Sequence, residues 1–176
     1  MTAAPFTSVD ELIAVLRDER GGDVVTALTH GLQCAWRLAQ QSPEDVELQI
    51  AGLVHDVASS VVPRPVGDHA AIGAEMVRPL VGHRVADLVG GHVVAKRYLV
   101  TVDNGYRSIL SVASTRNLVT QGDTLSDGER LRFESSPLAD DWLQLRRADE
   151  HAKVPGREVP ALEHWRPMLE ELASAM

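Results

Sequence analysis

The sequence predicts an all-α fold, a helical bundle, and three observations carry that reading. Apolar residues recur at helical spacing along most of the chain, and no segment alternates apolar and polar residues as a half-buried strand would. A histidine and an aspartate, His55 and Asp56, lie side by side within the apolar run Ile50, Ala51, Leu53, Val54, Val57, Ala58, which marks that stretch as central. With 176 residues the chain is long enough for one sizeable core. One domain is expected over 1–176, with a core at 24–153 and two helices, 8–19 and 161–174, packed on it.

Ser8-Val9-Asp10-Glu11 is a capping box that opens the first helix, with Leu12, Val15 and Leu16 on one face. Arg20-Gly21-Gly22-Asp23 ends it. The second helix carries Val25, Leu28, Leu32, Ala35 and Leu38. Ser42 is expected to cap the third helix, with Pro43 in its first turn, and that helix runs towards His55-Asp56. The breaker-rich segment 61–67 is a loop, and Asp68 caps a fourth helix that begins at His69 and continues through Ile72, Met76 and Leu80. A fifth holds Val85, Leu88, Val89, His92 and Val93. The glycines Gly90-Gly91 in its interior cost roughly 1 kcal/mol each against alanine, which points to close packing, room for a ligand, or a plain loop at this place. Asn104-Gly105 turns into a helix around Ile109–Val119. Pro137 to Lys153 forms another, with Leu138, Trp142, Leu145 and Asp149 near one face. Pro155-Gly156 breaks it before a closing helix with Leu162, Trp165, Leu169 and Leu172.

Burying an imidazole beside a carboxylate among aliphatic side chains is costly unless each is paired or binds a metal. His30, His69, His92 and Asp149 are of the same chemical kind, and each comes from a different predicted helix. Imidazole and carboxylate suit divalent transition metals, and six such ligands suffice for two ions. Asp56 is the natural bridge, since a carboxylate has an oxygen for each metal. The expected fold thus acquires a dinuclear metal site in its core. His83, His151 and His164 sit in polar surroundings and are read as surface residues.

A formal net charge of −8 argues against nonspecific attraction to nucleic acid or an anionic membrane, although a local basic cluster can still hold a small anion. The single cysteine, Cys34, excludes an internal disulfide and reads as a small core residue. No apolar run approaches about 18 residues, and the N-terminus lacks a basic-then-apolar leader, so a cytoplasmic location is expected.

The order His30, His55-Asp56, His69, His92, Asp149 resembles the HD-domain superfamily of metal-dependent phosphohydrolases, over about 120 residues. A narrower resemblance rests on Thr29-His30-Gly31-Leu32-Gln33-Cys34-Ala35, on Gly90-Gly91-His92-Val93-Val94-Ala95-Lys96-Arg97-Tyr98-Leu99 and on Arg146-Arg147-Ala148-Asp149. These strings are similar to the PhnZ-like branch, mixed-valent diiron oxygenases that cleave the carbon–phosphorus bond of hydroxylated phosphonates. The resemblance implies a metal set of His30, His55, Asp56, His69, His92 and Asp149 binding an Fe(II)/Fe(III) pair, with dioxygen and a small anionic substrate as partners. It also places Lys96, Ser114 and Arg146 where phosphonate contacts are expected. On a helix Lys96 faces the same side as His92, and Arg146 precedes Asp149 by three, so both cations can serve the site. Arg97 and Arg147 are read as solvated helix charges.

Two departures bear on the reaction. Ser59 stands three after Asp56, where hydrolases with an HDxxK string carry lysine. Arg20 and Asp23 stand where the branch carries a tyrosine and a glutamate as a lid. A lid role is expected of this pair, with Asp23 keeping the carboxylate and Arg20 altering substrate preference or gating. Three functions compete: a diiron oxygenase acting on a small hydroxylated phosphonate or similar polar substrate, a metal-dependent phosphohydrolase, and a non-catalytic ligand-binding module. The oxygenase is favoured, because two cations beside two metals suit a substrate whose anionic end is held away from the reacting carbon.

Overall fold

The computed structural model describes residues 4–18, 24–62 and 69–176, and every regular element among them is a helix. The first, α1 (Val9–Arg17), starts where the sequence places it. The Ser8 side chain accepts from the Glu11 N–H, but the Glu11 carboxylate reaches back to Thr7, accepting from its N–H and hydroxyl. The helix buries Leu12, Ile13 and Leu16 and ends at Arg17.

Thr26 caps α2 (Ala27–Gln41), its hydroxyl accepting from the Thr29 N–H. The cap of α3 (Val46–Val54) is Asp45, whose carboxylate accepts from the Leu48 N–H at 3.0 Å, and not Ser42. Ser42 closes α2 instead, its N–H donating to Leu38, while its hydroxyl accepts from Gln144. A short α4 (Val57–Val61) follows. The expected Asp68 cap and the loop from 63 onward lie outside the described residues.

The predicted fourth and fifth helices form one long element, α5 (His69–Val102), broken in backbone conformation only at Gly82. The helix expected around 109–119 is divided into α6 (Tyr106–Ile109) and α7 (Val112–Thr120), because Leu110 is extended and Ser111 caps anew. A helix absent from the sequence reading, α8 (Asp127–Glu134), carries a complete Ser126–Glu129 capping box. Its mean hydropathy is low and Phe133 is its one buried residue, so no apolar stripe announces it. The last two are α9 (Ala139–Glu150) and α10 (Leu162–Ser174).

The α2–α3 pair forms the centre of the bundle, with α5 and α9 packed against it. The main core runs through Leu12, Leu38, Ile50, Leu88, Leu145 and Trp165, and so joins α1 and α10 to the same apolar mass. Cys34 lies within it, fully buried, and burial pushes its thiol well above the usual value. Close helix approach explains two glycines. A Cβ at Gly91 would lie 2.0 Å from the Trp142 ring nitrogen, so Gly91 marks close packing and not ligand space, whereas one at Gly90 would meet only Ala74, at an ordinary 3.5 Å. A Cβ at Gly31 would lie 2.4 Å from the Leu53 carbonyl oxygen, a main-chain atom that cannot step aside. No helix among the described residues is long and apolar enough to cross a membrane.

Gly31→Ala is therefore expected to force α2 from α3 and to destabilise the protein by about 1–3 kcal/mol, read as a fall in Tm. Because Gly31 and Leu53 neighbour His30 and His55, metal content should fall with it.

Arg84 ties α3, α5 and α9 together, reaching Asp45 at 2.7 Å, Asp141 at 2.9 Å and Glu47 at 3.2 Å. The guanidinium holds the Asp45 carboxyl below its ordinary value, against a partial opposing effect of burial. A depressed carboxylate contributes stability above its unfolded pKa and loses it as pH falls through the folded one. Arg84→Met should cost about 1 kcal/mol at neutral pH, these groups being partly exposed. The gap between variant and wild-type melting temperatures should narrow as pH drops below the ordinary carboxylate range.

Candidate metal centre

Four imidazoles converge on one carboxylate. Asp56 Oδ2 lies 3.8 Å from His30 Nε2 and 3.6 Å from His55 Nε2, while Oδ1 lies 3.4 Å from His69 Nε2 and 3.7 Å from His92 Nε2. Two groups able to hold a metal ion result, His30/His55/Asp56 and Asp56/His69/His92, with Asp56 common to both. The sixth residue, Asp149, stands against the first group, its Oδ1 3.1 Å from His30 Nε2 and 3.8 Å from His55 Nε2.

The chain geometry around Asp56 makes this possible. His55 keeps helical angles at the end of α3, and Asp56 (φ −102°, ψ 12°) leaves the helix and begins α4. Two consecutive side chains at such a corner can address one point, which they could not do inside a straight helix.

Hydrogen bonds at the far ring nitrogen fix three of the four imidazoles. His30 Nδ1 donates to the Ala152 carbonyl at 2.9 Å, His55 Nδ1 to Gly52 at 2.9 Å and His92 Nδ1 to Val89 at 2.7 Å. A carbonyl can only accept, so each Nδ1 carries the proton and each Nε2 presents a lone pair to the centre. The Ala152 carbonyl is itself held in place. Gln33 donates to the Val154 carbonyl at 2.8 Å and accepts from the Val154 N–H at 2.9 Å.

Protonation follows from surroundings. Burial, then repulsion from His69 and His55, lowers His92 to about 3, and burial lowers His55 against the pull of Asp56 and Asp149. At His30 burial also acts downward, but the Asp149 and Asp56 carboxylates outweigh it and raise the ring. Burial would lift both carboxyls, yet His55, His69 and His92 hold Asp56 well below the usual range, and Arg146 with His30 does so for Asp149. The His55 and His92 rings, held neutral by burial beside ionised carboxylates, offer a transition-metal donor set. His55 Nε2 is buried without a hydrogen bond, as expected of an atom whose partner is a cation. The residues present fit a metal.

No family model matches the chain. Among curated proteins it is 32% identical over 177 residues to the hydroxymethylphosphonate dioxygenase of Gimesia maris, covering 94% of this chain and 88% of the relative. It is 30% identical over 178 residues to the [1-hydroxy-2-(trimethylamino)ethyl]phosphonate dioxygenase (glycine-betaine-forming) of Leisingera caerulea, covering 94% and 90%. An uncharacterised protein of Acanthamoeba polyphaga mimivirus is 30% identical over 163 residues, covering 87% and 74%. The chain belongs to the PhnZ-like branch of the HD-domain superfamily.

The string His92–Leu99, which carries the resemblance to the PhnZ-like branch, divides into separate tasks. His92 faces Asp56. Lys96, one turn on, is 4% exposed and has no carboxylate or hydrogen-bond partner among the described residues. Burial, reinforced by the Arg146 charge, lowers its ammonium to about 8. Arg97 is not the solvated charge that the sequence suggests. It donates to the Asp123 and Thr124 carbonyls and pairs with Glu129 at 3.0 Å, clamping the turn after α7. Tyr98 stacks on Phe133, and Leu99 packs with Tyr106 and Leu118.

The other expected substrate residues are placed unequally. Arg146 is 3% exposed and is engaged by Asp149, Glu150 and, at 2.8 Å, the Tyr106 hydroxyl. Its charge is therefore shared with two carboxylates of its own helix. Ser114 is buried on α7. Arg20 and Asp23 lie outside the described residues. Arg147, His83, His151 and His164 are exposed, as the sequence reading has them. That reading missed Gln33, Tyr106 and Gln121, whose carboxamide nitrogen lies 3.5 Å from His69 Nδ1. None of the three has a charge or a metal-ligand side chain, so nothing in one sequence singles them out.

A bound ion stabilises the only state that binds it, by roughly 4 kcal/mol when free metal exceeds Kd a thousandfold. Chelator-treated protein should melt below the metal-loaded form, and His55→Ala or Asp56→Ala should abolish that difference along with metal content. Equal melting temperatures for stripped and loaded wild type would rule the centre out.

Proposed function

We propose that this protein is a dinuclear-iron oxygenase that cleaves the carbon–phosphorus bond of a small hydroxylated organophosphonate. One observation supports this most directly: Asp56 turns one oxygen to each histidine pair while the buried Lys96, with no carboxylate partner among the described residues, stands one helical turn from His92. Relatives named as phosphonate dioxygenases support the reaction class.

In this reading His30, His55, Asp56 and Asp149 hold one iron, and His69, His92 and the same Asp56 hold the other. A mixed-valent iron pair bound there supplies the redox chemistry with dioxygen. The protein's own residues do the rest. Lys96 holds the anionic end of the substrate, and a charge-assisted contact made in a buried setting contributes more than one in water. Burial and Arg146 lower the Lys96 ammonium only to about 8, so it remains largely charged at neutral pH and is available to the anion. Arg146, braced by Tyr106, keeps Asp149 ionised and adds positive potential. Ser114 supplies a neutral hydroxyl donor on the α7 side. Arg20 and Asp23 take the lid role that the resemblance implies for their positions in the sequence. Holding the phosphonate at the cations leaves the hydroxyl-bearing carbon free to face the metals. A hydrolase would require the phosphorus itself to face a metal-bound water, and Ser59 leaves it without the lysine of HDxxK enzymes.

The test is oxygen consumption. Protein purified with iron should take up dioxygen with hydroxymethylphosphonate or another 1-hydroxyphosphonate, release phosphate, and show a mixed-valent electron-spin signal after partial reduction. Lys96→Ala should raise KM for the phosphonate about ten- to a hundredfold, the loss of one hydrogen bond to a charged group, while iron content stays unchanged. Phosphate release from ordinary esters without oxygen, supported by manganese or cobalt, would overturn the oxygenase in favour of the hydrolase.

A further inference from the structure

The four histidines facing Asp56 are not held alike. His30, His55 and His92 each donate Nδ1–H to a main-chain carbonyl at 2.7–2.9 Å, and their side chains are 8%, 1% and 3% exposed. His69 is 14% exposed, and among the described residues no main-chain carbonyl receives its Nδ1. What stands there is the Gln121 carboxamide, its nitrogen 3.5 Å from His69 Nδ1. The other end of that amide, Oε1, is buried without a hydrogen-bond partner.

A histidine that binds metal through Nε2 carries its proton on Nδ1 and needs an acceptor there. A half-turn about the last side-chain torsion exchanges the two ends of a carboxamide, whose oxygen and nitrogen occupy nearly equal shapes. Here His69 Nε2 lies 3.0 Å from His92 Nε2 and Nδ1 faces the amide nitrogen; in the metal-bound tautomer that half-turn brings Oε1 to His69 Nδ1 as the acceptor it needs.

The position of Gln121 is built, not incidental. Its N–H closes α7 on the Asn117 and Leu118 carbonyls. The following turn is pinned to α5 by Arg97, which donates to Asp123 at 3.3 Å and Thr124 at 3.2 Å, and by Thr101, whose hydroxyl accepts from the Leu125 N–H at 2.8 Å. Arg97 and Thr101 lie on the same helix as His92. One helix thus carries a ligand and also fixes the turn that presents Gln121 to the neighbouring ligand.

We propose that Gln121 is a positioning residue for His69 and that it sets the metal affinity of the Asp56/His69/His92 group, making this the position loaded last and released first. A glutamine retains rotatable bonds that a helical carbonyl does not, so it orders a ring less firmly than the main chain orders the other three. The inference rests on the dinuclear reading above.

Metal-free full-length protein titrated with Co(II), followed by visible absorption, tests it without turnover. Wild type should bind two ions in separable steps. Gln121→Leu, which keeps the bulk and removes the acceptor, should weaken the second step about 10–100-fold, the usual range for such partners of metal ligands, and leave the first unmoved. Gln121→Glu, a stronger acceptor, should restore or tighten the second step. Two Co(II) ions per wild-type chain with an unchanged Gln121→Leu titration would overturn this proposal alone. So would equal weakening of both steps with a lower Tm of the metal-free variant, which marks a purely structural role. A single Co(II) per wild-type chain would overturn this proposal and the dinuclear reading together.

Discussion

The Asp56 carboxylate, set among four imidazoles inside an apolar bundle, is the constraint to which most of the structure answers. The carboxylate keeps 40% of its side chain exposed, but the His30, His55 and His92 rings that face it are buried, and buried imidazoles without a polar partner are costly for a fold. The helices therefore deliver partners from three separate places in the chain. α2 brings His30, the α3–α4 corner brings His55 and Asp56 itself, and α5 brings His69 and His92 from its two halves. Ordinary packing secures this delivery. Gly31 lets α2 approach the Leu53 carbonyl closely, so that His30 and His55 share one oxygen of the same carboxylate.

The two halves of the centre differ in how firmly they are made. The His30/His55 side draws its orientation from main-chain carbonyls, is backed by Asp149, and is braced through the reciprocal Gln33–Val154 hydrogen bonds. The His69 side depends on a glutamine at the end of a helix. This asymmetry suits a site in which two ions do different chemistry, because affinity and access can then be tuned on one side without disturbing the other.

Cations near the centre are also divided by task. Arg146 is spent on ionising Asp149 and on its contacts to Glu150 and Tyr106, whereas Lys96 is buried and no carboxylate among the described residues pairs with it. A lysine in that state is an unfilled requirement for negative charge, and this makes it the stronger candidate of the two for binding an anionic substrate. Arg97, one residue along, has an entirely mechanical role through the turn that follows α7. Adjacent basic residues on one helix thus serve different ends, according to which face each occupies.

The sequence by itself determined the helical class, the first and last helices, and the five residues that meet at or beside Asp56. Period and residue type are local properties, and a histidine beside an aspartate in an apolar run is costly wherever the chain folds. It did not determine how each ring is aimed. Gln33, Tyr106 and Gln121 act through atoms brought from 40 to 121 residues away, and an amide or a phenol carries no mark of such a partner. The α8 helix escaped notice because a mostly polar segment anchored by Phe133 lacks the periodic stripe that identifies a helix. Ser42 and Asp45 compete for the same cap, and Asp45 takes it where Arg84, from another helix, pairs with its carboxylate. Tertiary structure alone decided these points, since each turns on a partner distant in sequence. It also decided which oxygen of Asp56 faces which histidine pair, because the direction of a carboxylate is set by everything packed around it.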